Sequence, residues 1–151
     1  MRSDYLNDNS SLGNFDNKIK VLAGSTTLTD ADSGSVCVLD VAGGLTVVLP
    51  SAQPGLNFKF VVKTTFTTAG IINTAATDEL YSGTLMLVDP ATATDMNAFS
   101  ADESDDDSID LGSAAQGWLA GGWFNVVAIS DTRWHVSGQL VGDGTLATPF
   151  E

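Results

Sequence analysis

Basic residues are scarce in this chain. Six Lys and Arg stand against 19 Asp and Glu, a formal net charge of −13. An extended phosphate-binding surface would form against that field, so nucleic acid is not expected as a partner. Cysteine is nearly absent: Cys37 alone rules out an internal disulfide. It lies in the apolar run Val36-Cys37-Val38-Leu39 with no basic neighbour in sequence, which reads as a buried, inert thiol. The single histidine, His135, has no Cys partner with which to build a zinc site. No apolar run approaches the roughly 18 residues of a membrane-spanning helix, so no membrane partner is expected. The opening stretch, MRSDYLNDNSSLGNF, has no apolar centre of signal-peptide type. Synthesis and folding in a cytoplasm are therefore expected, whatever the final destination.

Catalytic signatures are missing too. There is no phosphate-binding loop, no dinucleotide fingerprint and no G-x-S-x-G elbow. Acids are plentiful, but nothing selects a pair for glycoside hydrolysis. The sequence predicts no enzyme, no catalytic residue, no cofactor and no resident metal.

What the chain does contain is strand pattern. In Trp123–Gly138, WFNVVAISDTRWHVSG, two apolar runs flank Ser130-Asp131-Thr132, a break short enough for a hairpin loop. Trp134 and Val136 alternate with Arg133, His135 and Ser137, which puts the first pair on the core face and His135 outside. Upstream, Lys18–Leu22, Ser35–Leu39, Leu45–Leu49 and Asn57–Lys63 read as strands, with Phe58 and Phe60 on one face. Gly70–Asn73, Thr84–Val88 and Ile109–Leu111 read as further short strands, and Ala91–Phe99 as a short helix or an irregular loop. Strands punctuated by turns at this spacing predict an all-β fold, an antiparallel β-sandwich or jelly-roll-like barrel over residues 18–138. No strict internal repeat is visible.

Two segments flank that domain. Residues 1–17 are polar, with Tyr5, Leu6, Leu12 and Phe15 spaced along them. They cannot form a core of their own, and read either as a disordered tail or as an arm that orders on a neighbouring subunit through those four residues. Residues 139–151 read as a second extended tail. Among the tryptophans, Trp123 and Trp134 are expected in the core. Trp118, in the glycine-rich stretch 112–122, is the best candidate for an exposed aromatic, with core or subunit interface as its other fate. The acidic run Asp102–Asp110 fails the EF-hand spacing: Asp107 stands where glycine is required and Ser113 where the closing Glu belongs. It reads as a solvated surface loop, with a weak Ca²⁺ or interface site as the alternative.

The series Thr27–Gly34, Val36–Leu39, Leu45–Pro50 and Gly55–Val62 resembles virion β-proteins of tailed bacteriophages. The ending Val126–Gly138, which fits V-x-x-x-S-D-x-x-W-x-V-x-G, looks like the way such modules close. The resemblance spans roughly residues 21–141. It implies a structural role: a head decoration (cement) protein on the outer capsid surface, often a homotrimer, with the major capsid protein as partner. A domain of a tail fibre or spike that binds a host receptor or glycan is the alternative. The family brings no catalytic residues.

Overall fold

The computed structural model describes residues 18–92 and 95–151. They are mostly β, with 3₁₀ turns at Asp30–Asp32 and Ala114–Gln116. The strands are β1 (Ile19–Leu22), β2 (Thr26–Thr27), β3 (Ser35–Leu39), β4 (Leu45–Val48), β5 (Asn57–Val62), β6 (Gly70–Asn73), β7 (Leu80–Val88), β8 (Met96–Ser100), β9 (Ser108–Leu111), β10 (Leu119–Ser130) and β11 (Arg133–Val141). A seven-stranded sheet has the order β1-β3-β5-β10-β11-β7-β8, and a four-stranded sheet the order β2-β4-β6-β9. Period-2 alternation is clean where one face meets the core: Ser35, Cys37 and Leu39 of β3 are buried, as are Phe58, Phe60 and Val62 of β5.

The sheets are mixed, which corrects the antiparallel arrangement expected from the sequence. From β1 to β6 the chain alternates between the two sheets, so each strand's neighbour is the next but one and runs parallel to it. The turns after β3 and β4 are short, as the sequence indicated, but they cross between sheets instead of returning beside the strand just left. Alternation reports which face of a strand is buried, not the direction of its neighbour. Antiparallel pairing enters with the second half of the chain, where β10 joins β5 and β9 joins β6. The windings are unequal. Ile19 pairs with Val36 and Val36 with Lys59, separations of 17 and 23 residues. Thr26 pairs with Val47 and Val47 with Ile72, separations of 21 and 25. Unequal windings leave no fixed sequence period, which is why no repeat was visible.

Two further expectations change. The stretch Ala91–Phe99 holds no helix in its described part; Met96–Ser100 is an edge strand paired antiparallel to β7. Both of its faces are largely wet, so it lacks the alternation that marks a half-buried strand. The tail expected from residue 139 begins later, because β11 continues to Val141. The residues beyond return to the small sheet, where Asp110 N–H donates to Pro149 O and Ser108 N–H to Glu151 O. Phe150 is buried there, bridged to Ile109, and Leu146 is buried on the way.

The core draws on both sheets. The Phe60 and Phe124 rings stack with centroids 5.1 Å apart, and Phe58 lies 6.1 Å from Trp134. Trp134 and Val136 are fully buried and His135 is exposed, as the hairpin pattern required. Trp134 Nε1–H donates to the buried Glu79 carboxylate at 3.3 Å. Tyr81 O–H crosses between the sheets to Ile72 O at 3.1 Å, satisfying the one polar atom of an otherwise apolar ring.

Gly138 pairs with Phe124, and a Cβ at Gly138 would stand 2.4 Å from Trp123 O and 2.5 Å from Phe124 Cα. Backbone on that side cannot yield cheaply, so Gly138→Ala is expected to cost about 2 kcal/mol or more. Urea unfolding should show a lower midpoint at unchanged slope; an unchanged midpoint would contradict this packing.

Candidate interaction surface

The outward positions of the large sheet line up across strands. One row runs Val21, Val38, Val61, Trp123, Gln139, Met86 and Ala98, each paired in register with the next. The adjacent row runs Ile19, Val36, Lys59, Asn125, Ser137, Thr84 and Ser100. Ile19, Val21, Trp123, Val127 and Ile129 are exposed large apolar residues on this side. The first row is apolar except at Gln139, whereas the second is apolar only at Ile19 and Val36. A contiguous apolar row of the first kind marks an interaction surface more often than scattered single residues do.

Charge is distributed just as unevenly. None of the seven strands contains an Asp or a Glu, although the chain has 19. Lys59 is the titratable group within these two rows, and Arg133 and His135 take outward positions further along β11. Lys59 Nζ sits 5.0 Å from the Trp123 ring centroid, a cation–π contact that holds both side chains on the face. The acids stand at strand ends. Asp40 pairs with Lys63 at 2.6 Å, Asp131 occupies the β10–β11 turn, and Glu103 faces Arg133 at 3.8 Å. Beside the Trp123–Lys59 ridge lies a shallow depression of about 390 Å³, lined by Val36, Asn57, Lys59, Asn125, Val127 and Ser137.

The structure separates the residues the sequence singled out. Trp118 is half-buried, packed on the core, with its carbonyl accepting the Phe66 N–H. Trp123, expected inside, is outside at 38% exposure. The signal was present in the alternation: Phe124, Val126 and Ala128 take the core face, so Trp123 must share the opposite face with Asn125. Tyr5, Leu6, Leu12 and Phe15 lie outside the described residues. Comparison with protein-family models, with curated proteins and with solved structures gave no match.

The acidic loop is tied down by its own backbone. Asp102 N–H donates to the Asp106 carboxylate, and Asp102 Oδ1 accepts from both the N–H and the hydroxyl of Ser104. Arg133 Nη1 donates to Glu103 O and so anchors the loop to β11. Among the described residues no group of three or more His, Cys, Asp or Glu is placed to hold a metal ion. Cys37 is fully buried, and burial pushes its thiol up to about 11. Native protein should therefore resist a disulfide reagent at pH 8 and react only as fast as it unfolds. Rapid stoichiometric labelling of Cys37 without denaturant would contradict its burial.

The carboxylates titrate in opposite senses. The Lys20 side chain, 2.7 Å away, holds Asp32 below its ordinary value, and Lys63 and Thr64 do the same for Asp40. Their stabilising effect is present above the ordinary carboxylate range and is lost on acidification. Burial, then the surrounding Asp105, Asp102 and Asp107 charges, raise Asp106. Burial and the nearby Glu151 likewise raise Asp110, whose Oδ1 has no hydrogen-bond partner. For these two the protonated form suits the fold, so stability is gained below the ordinary value of 3.8 and lost as pH rises through the raised one. Asp106→Asn keeps an acceptor for Asp102 N–H and removes the charge. It should raise Tm at pH 7. The gain should disappear below pH ~4. A gain of equal size at both pH values, or a loss at pH 7, would refute this account.

Proposed function

We propose that this chain is a structural virion protein of a tailed bacteriophage, a decoration protein that binds the outside of the head and stabilises it as a homotrimer. The supporting observation is the fit of Val126–Gly138 to the closing pattern of such modules. That segment is the hairpin at the middle of the large sheet, and its terminal glycine meets Phe124 backbone where a Cβ would collide. The two sheets around one core read as a β-sandwich, with mixed rather than antiparallel sheets. Its described surface offers broad sheet faces and shallow depressions, a shape suited to binding large partners over area.

The physical logic is multivalency. A trimer with three weak contacts holds a shell far better than one subunit does, and a cyclic trimer matches a local three-fold site. The partner is the major capsid protein. Residues 1–17 carry the contact in this reading, with Tyr5, Leu6, Leu12 and Phe15 as apolar anchors. Net charge of −13 keeps the protein off packaged DNA.

A second reading has its own observation. The exposed Trp123, steadied by Lys59, offers an aromatic face on which a sugar ring could stack, as in a host-binding fibre or spike domain. Immunogold labelling of the parent phage separates the two. Label over the head, with head binding lost on deletion of residues 1–17, is the expected result. Label confined to the tail tip, with glycan binding abolished by Trp123→Ala, would replace decoration with receptor binding. Head binding undiminished by the deletion would remove the arm from the mechanism.

A further inference from the structure

We infer that the outward face of the seven-stranded sheet is the surface through which copies of this chain associate, its occupant being the same face of a second copy. A face that meets its own copy makes a two-fold contact, distinct from the heterologous contacts that close a cyclic trimer, and so goes beyond the oligomeric role proposed above.

Charge selects the occupant. Two copies at −13 each repel, so contact is least costly through a face that brings no carboxylate toward its partner. The seven strands of this sheet contain no Asp or Glu, whereas the small sheet carries Asp110 in β9. A strongly basic partner would draw on acids, and this face has none to offer. Lys59, placed over Trp123, Arg133, engaged by Glu103, and the solitary His135 add no like-charge barrier comparable to the acidic rim.

Shape points the same way. A self-complementary contact needs projection and recess on one surface, because each copy presents the same patch. Trp123 projects, and the depression bounded by Val36, Asn57, Asn125 and Ser137 lies beside it. The extent is adequate. Six strand spacings of roughly 4.8 Å by about five residues at roughly 3.3 Å give a footprint on the order of 500 Å² per copy. Two copies then cover on the order of 1,000 Å², the lower limit for a specific association. Sheets meeting face to face settle about 10 Å apart with side chains interleaved, which the outward row of Val21, Val38, Val61 and Met86 permits.

Sedimentation equilibrium of the full chain, without shells, tests this. Wild type should associate at about 100 µM, and more tightly as added salt screens the net charge. Val61→Glu and Ser137→Glu, each on the face, should weaken association at least about tenfold through the buried charge they introduce. Thr46→Glu, on the outer side of the small sheet, should leave it unchanged. Ser137 is already exposed, so that variant carries the test should Val61→Glu fail to fold. Association that weakens with salt, or that survives both face variants, would overturn the inference. So would a monomeric wild type, including one whose Trp123 becomes accessible to iodide only on removal of residues 1–17, which would make that segment the occupant. Immunogold label over heads alongside a monomeric protein would overturn this inference and leave decoration standing; self-association without head label would do the reverse.

Discussion

The pairing of β5 with β10 is the constraint on which the remaining architecture depends. On one side of it lie the parallel strands β1, β3 and β5; on the other lie β10, β11, β7 and β8 from the second half of the chain. The five paired positions from Asn57–Val127 to Val61–Trp123 join those halves into one sheet. The same register sets both faces. Inward, it brings Phe60 onto Phe124; outward, it brings Lys59 and Val61 beside Trp123. A one-residue slip would exchange those faces, sending phenylalanines into water and lysine into the core. The apolar core therefore enforces the register that lays out the outer surface.

Around that seam the polar atoms buried in the core are mostly matched. Glu79 receives the Trp134 indole N–H, and Tyr81 reaches the backbone of the other sheet. These bonds add little net stability individually, but breaking one leaves a desolvated group without a partner. The Tyr81 bond ties the large sheet to β6, the Trp134 bond ties β11 to the start of β7, and burial of phenylalanine, leucine and valine supplies the driving force.

Much of the fold was legible because alternation is a local property. The inward places of Phe58, Phe60, Trp134 and Val136 follow from it, and so does the exposure of His135. Strand direction was not legible, because a turn of a few residues can reverse a strand within a sheet or carry it to the next one. Trp123 was misplaced because tryptophan's bulk suggested burial, while its phase with Asn125 set the opposite face. The acid-free surface could not be read from any single segment. It arises from pairing seven strands that lie as far apart as Ile19 and Val141, each merely poor in carboxylates by itself. The four spaced apolar residues of the amino-terminal segment lie outside what the structure describes.

The return of the chain to β9 has a consequence for biosynthesis. Phe150 bridges to Ile109, and β9 in turn pairs with β6, the last of the parallel windings. The small sheet thus acquires its final partner only after Phe150 has left the ribosome. Until then Phe150 cannot cover that edge, and an incomplete layer carries open strand edges. The pairings of β5 with β10 and of β6 with β9 join strands distant in sequence, the class that closes slowly. The acids strung through the connecting loops are present throughout this interval, and like charge opposes association of unfinished chains.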